Sequence, residues 1–203
     1  MNTPTNIEAV IWDLGGVIMR TDDPAPRTVL ASRFGLSYAD LAARVLGGPE
    51  STRAQLGEIS AQQFWEGAGA AYGMAPADFM AAFFAGDSLD HELLAAIRGL
   101  CASYKVGLLS NAFSDLRYWL EQEWKIADAF NSLVISAEVK LMKPDPAIYT
   151  LALEQLGVKP QAAVFVDDVP VNIEAAQRAG MHGIVFRSRL QTLGELDRML
   201  GRV

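Results

Sequence analysis

Residues 163–172 read AVFVDDVPVN, from Ala163 to Asn172, and join an apolar run to an acidic pair. The run Ala163–Val166 is apolar and partly β-branched, which favours a buried strand. Asp167 and Asp168 follow at once, although adjacent carboxylates repel each other. A divalent cation with oxygen ligands relieves such repulsion. This stretch therefore predicts a strand that ends in a metal-binding pair.

Four other apolar runs also read as strands, the last of them more weakly: Glu8–Trp12, Lys105–Leu109, Gly183–Phe186 and Ser132–Ile135. Helical patterns separate them: Asp90–Cys101, Ser114–Trp124, Pro146–Leu156 and Val171–Ala179. Strands that alternate with helices predict a parallel sheet covered on both faces. The expected fold is therefore α/β, a Rossmann-like three-layer sandwich.

Residues 21-89 break this alternation, because they contain no convincing strand and read as several short helices. Candidate helix starts are Ser37, Ser60 and Pro76, and Ser60 with Gln63 resembles a capping box. The stretch is far too long for a simple crossover connection. We predict a core of residues 1-20 and 90-203, and a helical cap of residues 21-89 inserted after the first strand.

Polar residues follow several of these strands. Those that follow a strand directly are Asp13, Ser110 with Asn111, and Asp167 with Asp168. In a parallel sheet the carboxyl ends of the strands lie at one edge, where such sheets bind ligands. Asp13 alone is more often a helix cap or turn residue, and Ser110 with Asn111 alone is usually a turn, whereas the pair Asp167 and Asp168 is harder to explain in that way. Their joint occurrence predicts one site with three carboxylates, a hydroxyl and an amide.

Lys143, in Lys143-Pro-Asp-Pro146, adds a cation to this set, although alone it reads as a solvated loop lysine. A lysine beside a hydroxyl and an amide suits an anion. Magnesium takes one or two carboxylates and completes its shell with waters and phosphate oxygens. Together these groups suit phosphoryl transfer, in which a carboxylate attacks while metal and lysine neutralise charge.

The four motifs resemble those of the haloacid dehalogenase superfamily: Asp13-Leu-Gly-Gly-Val17, Leu108-Leu-Ser-Asn111, Lys143-Pro-Asp-Pro146, and Val166-Asp-Asp168 with Asn172. The similarity covers nearly the whole chain. It is greatest to the branch that holds glucose-1-phosphatase-like phosphatases and the N-terminal phosphatase domain of soluble epoxide hydrolase. Leu56-Gly-Glu-Ile-Ser60, followed by Phe64-Trp65, also resembles that branch.

The resemblance implies a role for each matching residue. Asp13 would be the nucleophile, forming an aspartyl-phosphate, and a magnesium ligand together with the Gly15 carbonyl. Ser110 and the Asn111 backbone would hold the phosphoryl group, and Lys143 would balance its charge. The remaining roles would fall to Asp168 as a magnesium ligand, Asp167 as a ligand directly or through water, and Asn172 as support for the pair.

One position departs from the family pattern. The family's phosphatases usually carry a second aspartate two residues after the nucleophile, which protonates the leaving group and later activates water. Gly15 stands there instead, and general acid–base catalysis is typically worth about 10²–10⁴-fold in rate. A magnesium-dependent phosphatase acting on a small phosphorylated metabolite, such as a sugar phosphate, is nevertheless the favoured interpretation.

Two alternatives remain open. A 2-haloacid dehalogenase also lacks the second aspartate, but that group replaces the acidic pair with uncharged residues, which argues against it here. A catalytically weak phosphate-binding or regulatory domain is the second alternative, because of Gly15.

Charge and composition limit the classes of binding partner and the cellular location that the sequence predicts. The formal net charge of −7 disfavours nucleic acid and anionic membranes. The single cysteine allows no internal disulfide, and neither a signal peptide nor an apolar span of membrane length is evident, so we predict a cytoplasmic protein. No feature of the sequence indicates an oligomeric state.

Overall fold

A computed structural model describes residues 6–202. Its strands are β1 (Ala9–Trp12), β2 (Met19–Thr21), β3 (Asp87–Leu89), β4 (Lys105–Ser110), β5 (Ser132–Ile135), β6 (Ala163–Asp167) and β7 (His182–Val185). Five of them form one parallel sheet in the order β5-β4-β1-β6-β7. The five predicted strands are all present, each with its ends within one residue of the prediction.

Helices connect successive strands from β2 onward, whereas a short loop joins β1 to β2. They are α1 (Ala25–Ser32), α2 (Tyr38–Gly47), α3 (Pro49–Gln55), α4 (Ala61–Ala71), α5 (Pro76–Phe84), α6 (His91–Leu100), α7 (Leu116–Tyr118), α8 (Ser136–Val139), α9 (Pro146–Leu156), α10 (Pro170–Arg178) and α11 (Arg189–Met199). The helix predicted from Ser114 begins later, and α7 continues as a π-helical turn over Trp119–Glu123. Within residues 6–202, none of these helices has the length and apolarity needed to cross a membrane.

Side chains of the central strand alternate between two hydrophobic clusters. Val10 and Trp12 pack in a cluster with residues of α6 and α11 on one face of the sheet. Ala9 and Ile11 pack with residues of α9 and α10 on the other. Successive strand residues point to opposite faces, so the alternation places helices on both sides of the sheet. The predicted three-layer α/β fold is confirmed.

The region between β2 and β3 holds α1 to α5, and its predicted helix starts are correct. Ser37 and Ser60 each accept a hydrogen bond from the backbone three residues on, and each forms a capping box with that residue's side chain. Pro76 is the first residue of α5, where its missing N–H costs nothing.

The prediction of no strand in residues 21-89 is wrong at its end. β3 lies inside that stretch and pairs antiparallel with β2, so the helices leave and rejoin the core through a two-stranded ribbon. Each strand has only three residues, too few for a period-2 pattern to be read from the sequence. The division into a core and a cap stays a prediction, and residues 1–5 and 203 lie outside the described residues.

Two ionic clusters fix this ribbon to its surroundings. On the helical side, the buried Arg27 guanidinium donates to both carboxylate oxygens of Asp87, at 2.9 Å each. On the sheet side, the buried Asp90 carboxylate accepts from Arg20 at 2.9 Å and from Arg189 at 2.6 Å. These pairs join residues up to 99 positions apart, so the sequence gives no sign of them.

Aromatic side chains of α4 and α5 form a third cluster with residues of α1 and α2. Phe113, from the loop after β4, packs against this cluster, with its ring centroid 4.5 Å from that of Phe64 and 5.7 Å from that of Trp65. The aromatic residues therefore serve mainly to pack the helices together, and Phe113 anchors them to the sheet.

Candidate active site

Asp13 directly follows β1, and its backbone N–H donates to the Val166 carbonyl at 2.9 Å, which continues the parallel pairing with β6. Its carboxylate is buried. Oδ1 accepts the Leu14 N–H at 2.7 Å and lies 2.9 Å from Lys143 Nζ. No hydrogen-bond donor within residues 6–202 contacts Oδ2. One oxygen of Asp13 is thus fixed by the protein, while the other is available for chemistry.

Lys143 bridges two carboxylates. Its buried ammonium lies 2.9 Å from Asp13 Oδ1 and 2.6 Å from Asp167 Oδ2. Burial acts to lower the pKa of Lys143, but the charges of Asp13 and Asp167 outweigh it and raise that pKa. The lysine is therefore a fixed positive charge beside Asp13.

The Asp167 carboxylate is fully buried and fully hydrogen-bonded. Besides Lys143, it accepts from the Val169 N–H at 2.7 Å, and the Asn172 amide lies 3.1 and 3.0 Å from its two oxygens. The main-chain carbonyl of Asn172 accepts from the Tyr149 hydroxyl at 2.9 Å. With both oxygens occupied, Asp167 is better suited to hold Lys143 than to ligate an ion directly.

Asp168 differs from its neighbour, because the residue is exposed and no other residue among 6–202 donates a hydrogen bond to its carboxylate. Partial burial of its carboxyl group and the nearby charge of Asp167 raise the pKa of Asp168. One oxygen each from Asp13, Asp167 and Asp168 lie within 4.8 Å of one another.

These three carboxylates fit a cation. Lys143 supplies one positive charge against three negative ones, and oxygen donors are those that magnesium prefers. Burial raises the pKa of Asp13 to about 7, Lys143 opposes the rise and Asp167 adds to it. A cation bound beside Asp13 would favour its charged form.

Ser110 and Asn111 lie beside Lys143 at the end of β4. Ser110 is the last residue of the strand and is buried. The Asn111 side chain accepts from the Lys143 N–H at 2.8 Å and donates to the Lys143 carbonyl at 2.9 Å. Its amide is thus committed to the lysine's main chain. Contact between the Asn111 backbone and a phosphoryl group stays a prediction.

Comparison with known proteins identifies the family. The family model "haloacid dehalogenase-like hydrolase" matches residues 7–180. The chain belongs to this family. It is therefore a hydrolase of the haloacid dehalogenase superfamily, in agreement with the motifs and the sheet.

Three relatives illustrate the family's range. The chain is 27% identical to the sesquiterpene phosphatase astK of Aspergillus oryzae, over 97% of this chain and 98% of the relative. It is 29% identical to a phosphorylated carbohydrates phosphatase of Thermotoga maritima, over 88% and 84%. Bifunctional epoxide hydrolase 2 of Rattus norvegicus is 35% identical over 38% of this chain, but the match spans only 14% of that protein.

Solved structures of the superfamily share the fold. A haloacid dehalogenase family enzyme of Bacteroides thetaiotaomicron, crystallised as a magnesium complex, superposes with a TM-score of 0.77 at 23% identity, over 93% of this chain and 98% of that one. A 2-haloacid dehalogenase of Pseudomonas syringae superposes with a TM-score of 0.63 at 22% identity, over 97% and 99%. At these identities the likeness concerns the fold alone.

The two glycines after Leu14 differ in what they permit. Gly15 has an ordinary backbone conformation, and a Cβ there would meet no atom within 4 Å. Gly16 has a φ of +75°, and a Cβ there would lie 2.2 Å from Asp168 Oδ2. Gly16, which sequence reasoning passed over, therefore makes room for the Asp168 carboxylate. Gly15 is not required by the backbone.

Restoring an aspartate at position 15 is consequently expected to leave the fold intact. If the leaving group needs protonation, Gly15→Asp should raise kcat/KM for an alkyl phosphate by up to about 10²-fold, at the low end of general acid catalysis. It should change kcat/KM little for an aryl phosphate, whose leaving group needs less protonation. The measurement is kcat/KM on both esters, together with the melting temperature.

The matched control is Gly16→Asp, one residue away. This change should destabilise the protein, because a non-glycine residue at positive φ is strained and its Cβ would meet Asp168. A stable Gly15→Asp variant with no selective gain on the alkyl ester would mean that proton transfer does not limit that step.

Proposed function

We propose that this hydrolase is a magnesium-dependent phosphatase that cleaves a small phosphorylated metabolite through an aspartyl-phosphate at Asp13. The observation that carries the proposal is the Asp13 carboxylate, with one oxygen fixed by Leu14 and Lys143 and the other free at the edge of the sheet. Two relatives matched over most of their length are named as phosphatases, which supports this reaction class.

In the first step, Asp13 Oδ2 attacks the phosphorus, the bond to the ester oxygen breaks, and the leaving alkoxide takes a proton from water. Lys143 neutralises charge on Asp13 and on the transferring group. Ser110 and the Asn111 N–H hold the phosphoryl oxygens. Water then attacks the phosphorus of the aspartyl-phosphate, which releases phosphate and restores the Asp13 carboxylate.

The acidic residues divide into two roles. Asp13, the Gly15 carbonyl and Asp168 would hold magnesium, which when bound would neutralise charge on the phosphoryl oxygens. Asp167, whose oxygens are already occupied, would act by holding Lys143 and through a water. Asn172 supports Asp167 from α10.

The site favours this reaction over dehalogenation. One oxygen from each of three carboxylates lies within 4.8 Å of the other two, an arrangement that suits a cation, whereas a metal-free dehalogenase would gain nothing from the exposed Asp168. A panel of phosphorylated metabolites with magnesium, and a 2-haloacid as the comparison substrate, tests both. Turnover of the haloacid alone would overturn the proposal, and phosphate binding without turnover would favour a binding domain.

Asp168→Asn is expected to weaken magnesium binding and phosphatase activity together. The rate should fall by at least about 10²-fold, since metal stabilisation of transition-state charge is worth several kcal/mol. Calorimetric titration with magnesium and initial rates measure the two effects.

Glu174→Gln is the matched control, because it removes one carboxylate charge from an exposed residue of the same chain region, on α10. It should leave the magnesium affinity and the phosphatase rate near their wild-type values. Full activity of the unmodified protein in excess chelator would contradict magnesium dependence.

A further inference from the structure

The loop after β4 carries the proposed phosphate ligands, and its conformation is fixed from two sides. On one side, the Asn111 amide is bonded to both main-chain groups of Lys143. On the other side, the Ser136 side chain is hydrogen-bonded to the main chain of Ala112. Ser136 belongs to none of the four motifs. Ser136 follows β5, whose last residue, Ile135, is paired with Ser110.

The Ser136 hydroxyl makes two hydrogen bonds to one residue. Oγ accepts the Ala112 N–H at 2.9 Å and donates to the Ala112 carbonyl at 3.2 Å. Ser136 has no exposed surface, so water cannot replace either bond. The two bonds orient the peptide planes on both sides of Ala112. They thereby restrict the loop next to Ser110 and the Asn111 N–H.

The helical region touches the chain on either side of this contact. A Cβ at Gly57 would lie 2.1 Å from the carbonyl oxygen of Ala137, the residue after Ser136. The Ala61 N–H donates at 3.2 Å to Ser114 Oγ, two residues after Ala112. The loop beside the phosphate site is thus held by Ser136 just where the helices approach the sheet.

We propose that Ser136 is a positioning residue, whose hydroxyl clamps Ala112 and so sets the Ser110–Asn111 loop in its phosphate-binding conformation. The proposal rests on the proposed function, because it concerns the oxyanion ligands of that site. Ser136 itself does not touch substrate in this account. Its effect should appear in phosphate binding and in transition-state stabilisation, but not in magnesium affinity, because Ser136 is not among the proposed magnesium ligands.

Ser136→Ala tests the clamp against a matched control, Ser51→Ala. Ser51 is equally buried, and its hydroxyl also makes two bonds, donating to Leu46 O at 3.0 Å and accepting from Gln55 Nε2 at 2.9 Å, but it lies in α3. Both variants lose a buried hydroxyl, so both should be destabilised. At a temperature where each is folded, only Ser136→Ala should lose kcat/KM, by about 10- to 10²-fold, as small misplacements of binding groups do.

A second readout separates positioning from stability. Inorganic phosphate binding, measured calorimetrically with magnesium present, should weaken in Ser136→Ala and not in Ser51→Ala, while magnesium affinity stays the same in both. Ser136→Cys keeps the side-chain shape but bonds more weakly, so its phosphate affinity should fall between those of the wild type and Ser136→Ala. If Ser136→Ala does not fold, Ser136→Cys carries the comparison.

The outcomes separate this inference from the proposed function. If the wild type hydrolyses phosphate esters and the Ser136 variants bind phosphate as tightly as Ser51→Ala, the clamp is wrong and the function stands. If the wild type hydrolyses no ester but phosphate binding falls only in the Ser136 variants, the clamp stands and the function is wrong. Absence of phosphate binding in the folded wild type would overturn both.

Discussion

The Asp13→Asn variant is expected to keep its fold and lose at least about 10⁴-fold in kcat, since loss of a covalent nucleophile can cost about 10⁶-fold. Asparagine has nearly the shape of aspartate but lacks the charged oxygen that would attack phosphorus in the proposed mechanism. Lys143 retains its 2.6 Å partner Asp167, so the substitution does not leave the ammonium unpaired. Steady-state rates on the best ester of the panel and the melting temperature measure the two effects.

The same variant should bind inorganic phosphate at least as well as the wild type does, because one negative charge beside the anion is gone. Asp145→Asn is the matched control. It makes the same chemical change close to Lys143, and an asparagine there can still cap α9, where Asp145 accepts the Ala147 N–H at 2.8 Å. Normal turnover by Asp13→Asn, with the control also normal, would contradict covalent catalysis at Asp13.

Lys143→Met should affect both stability and catalysis. Methionine matches the length of lysine but leaves Asp13 and Asp167 as buried carboxylates without their shared cation. Removing one partner of a buried ion pair typically costs about 3–5 kcal/mol. Catalysis should fall by a further factor on the order of 10²–10³, the usual loss when one charge-stabilising group is removed. Denaturant unfolding measures the loss of stability, and kcat under conditions where the variant is folded measures the loss of catalysis.

The control for this change is Lys159→Met, which removes the charge of an exposed lysine. Surface substitutions of this kind usually change stability by less than about 0.5 kcal/mol. Should Lys143→Met prove as stable and active as Lys159→Met, the assignment of Lys143 as the charge partner of Asp13 would be wrong.

The sequence predicts the sheet and the residues at its edge for the same physical reason. A strand such as β6 is buried on both faces, so it is apolar from Ala163 to Val166 and can be recognised from its composition. In a parallel sheet, the residues that end such strands meet at one edge. The sequence alone therefore predicts that Asp13 and Asp167 lie close together.

The sequence does not reveal contacts that depend on close approach between distant segments. The main-chain bonds of Asn111 to Lys143 and of Ser136 to Ala112 use residue types that are common in turns everywhere. Nor does the motif distinguish Gly15 from Gly16, since only the backbone angle and the position of Asp168 separate them.

The missing aspartate at position 15 bears on the fate of the proposed intermediate. In the family's usual pattern this residue activates the water that hydrolyses the aspartyl-phosphate, and Gly15 cannot do so. An aryl phosphate transfers its phosphoryl group readily without an acid. Its aspartyl-phosphate should therefore form faster than it is hydrolysed, and should accumulate during turnover.

Covalent catalysis at Asp13 can be tested by rapid acid quench of the enzyme during turnover of an aryl phosphate, followed by mass spectrometry of its peptides. We expect a burst of product of about one per enzyme molecule and a phosphoryl group on Asp13, both absent in Asp13→Asn. Steady turnover without a burst, and with Asp13 unmodified at every quench time, would contradict it.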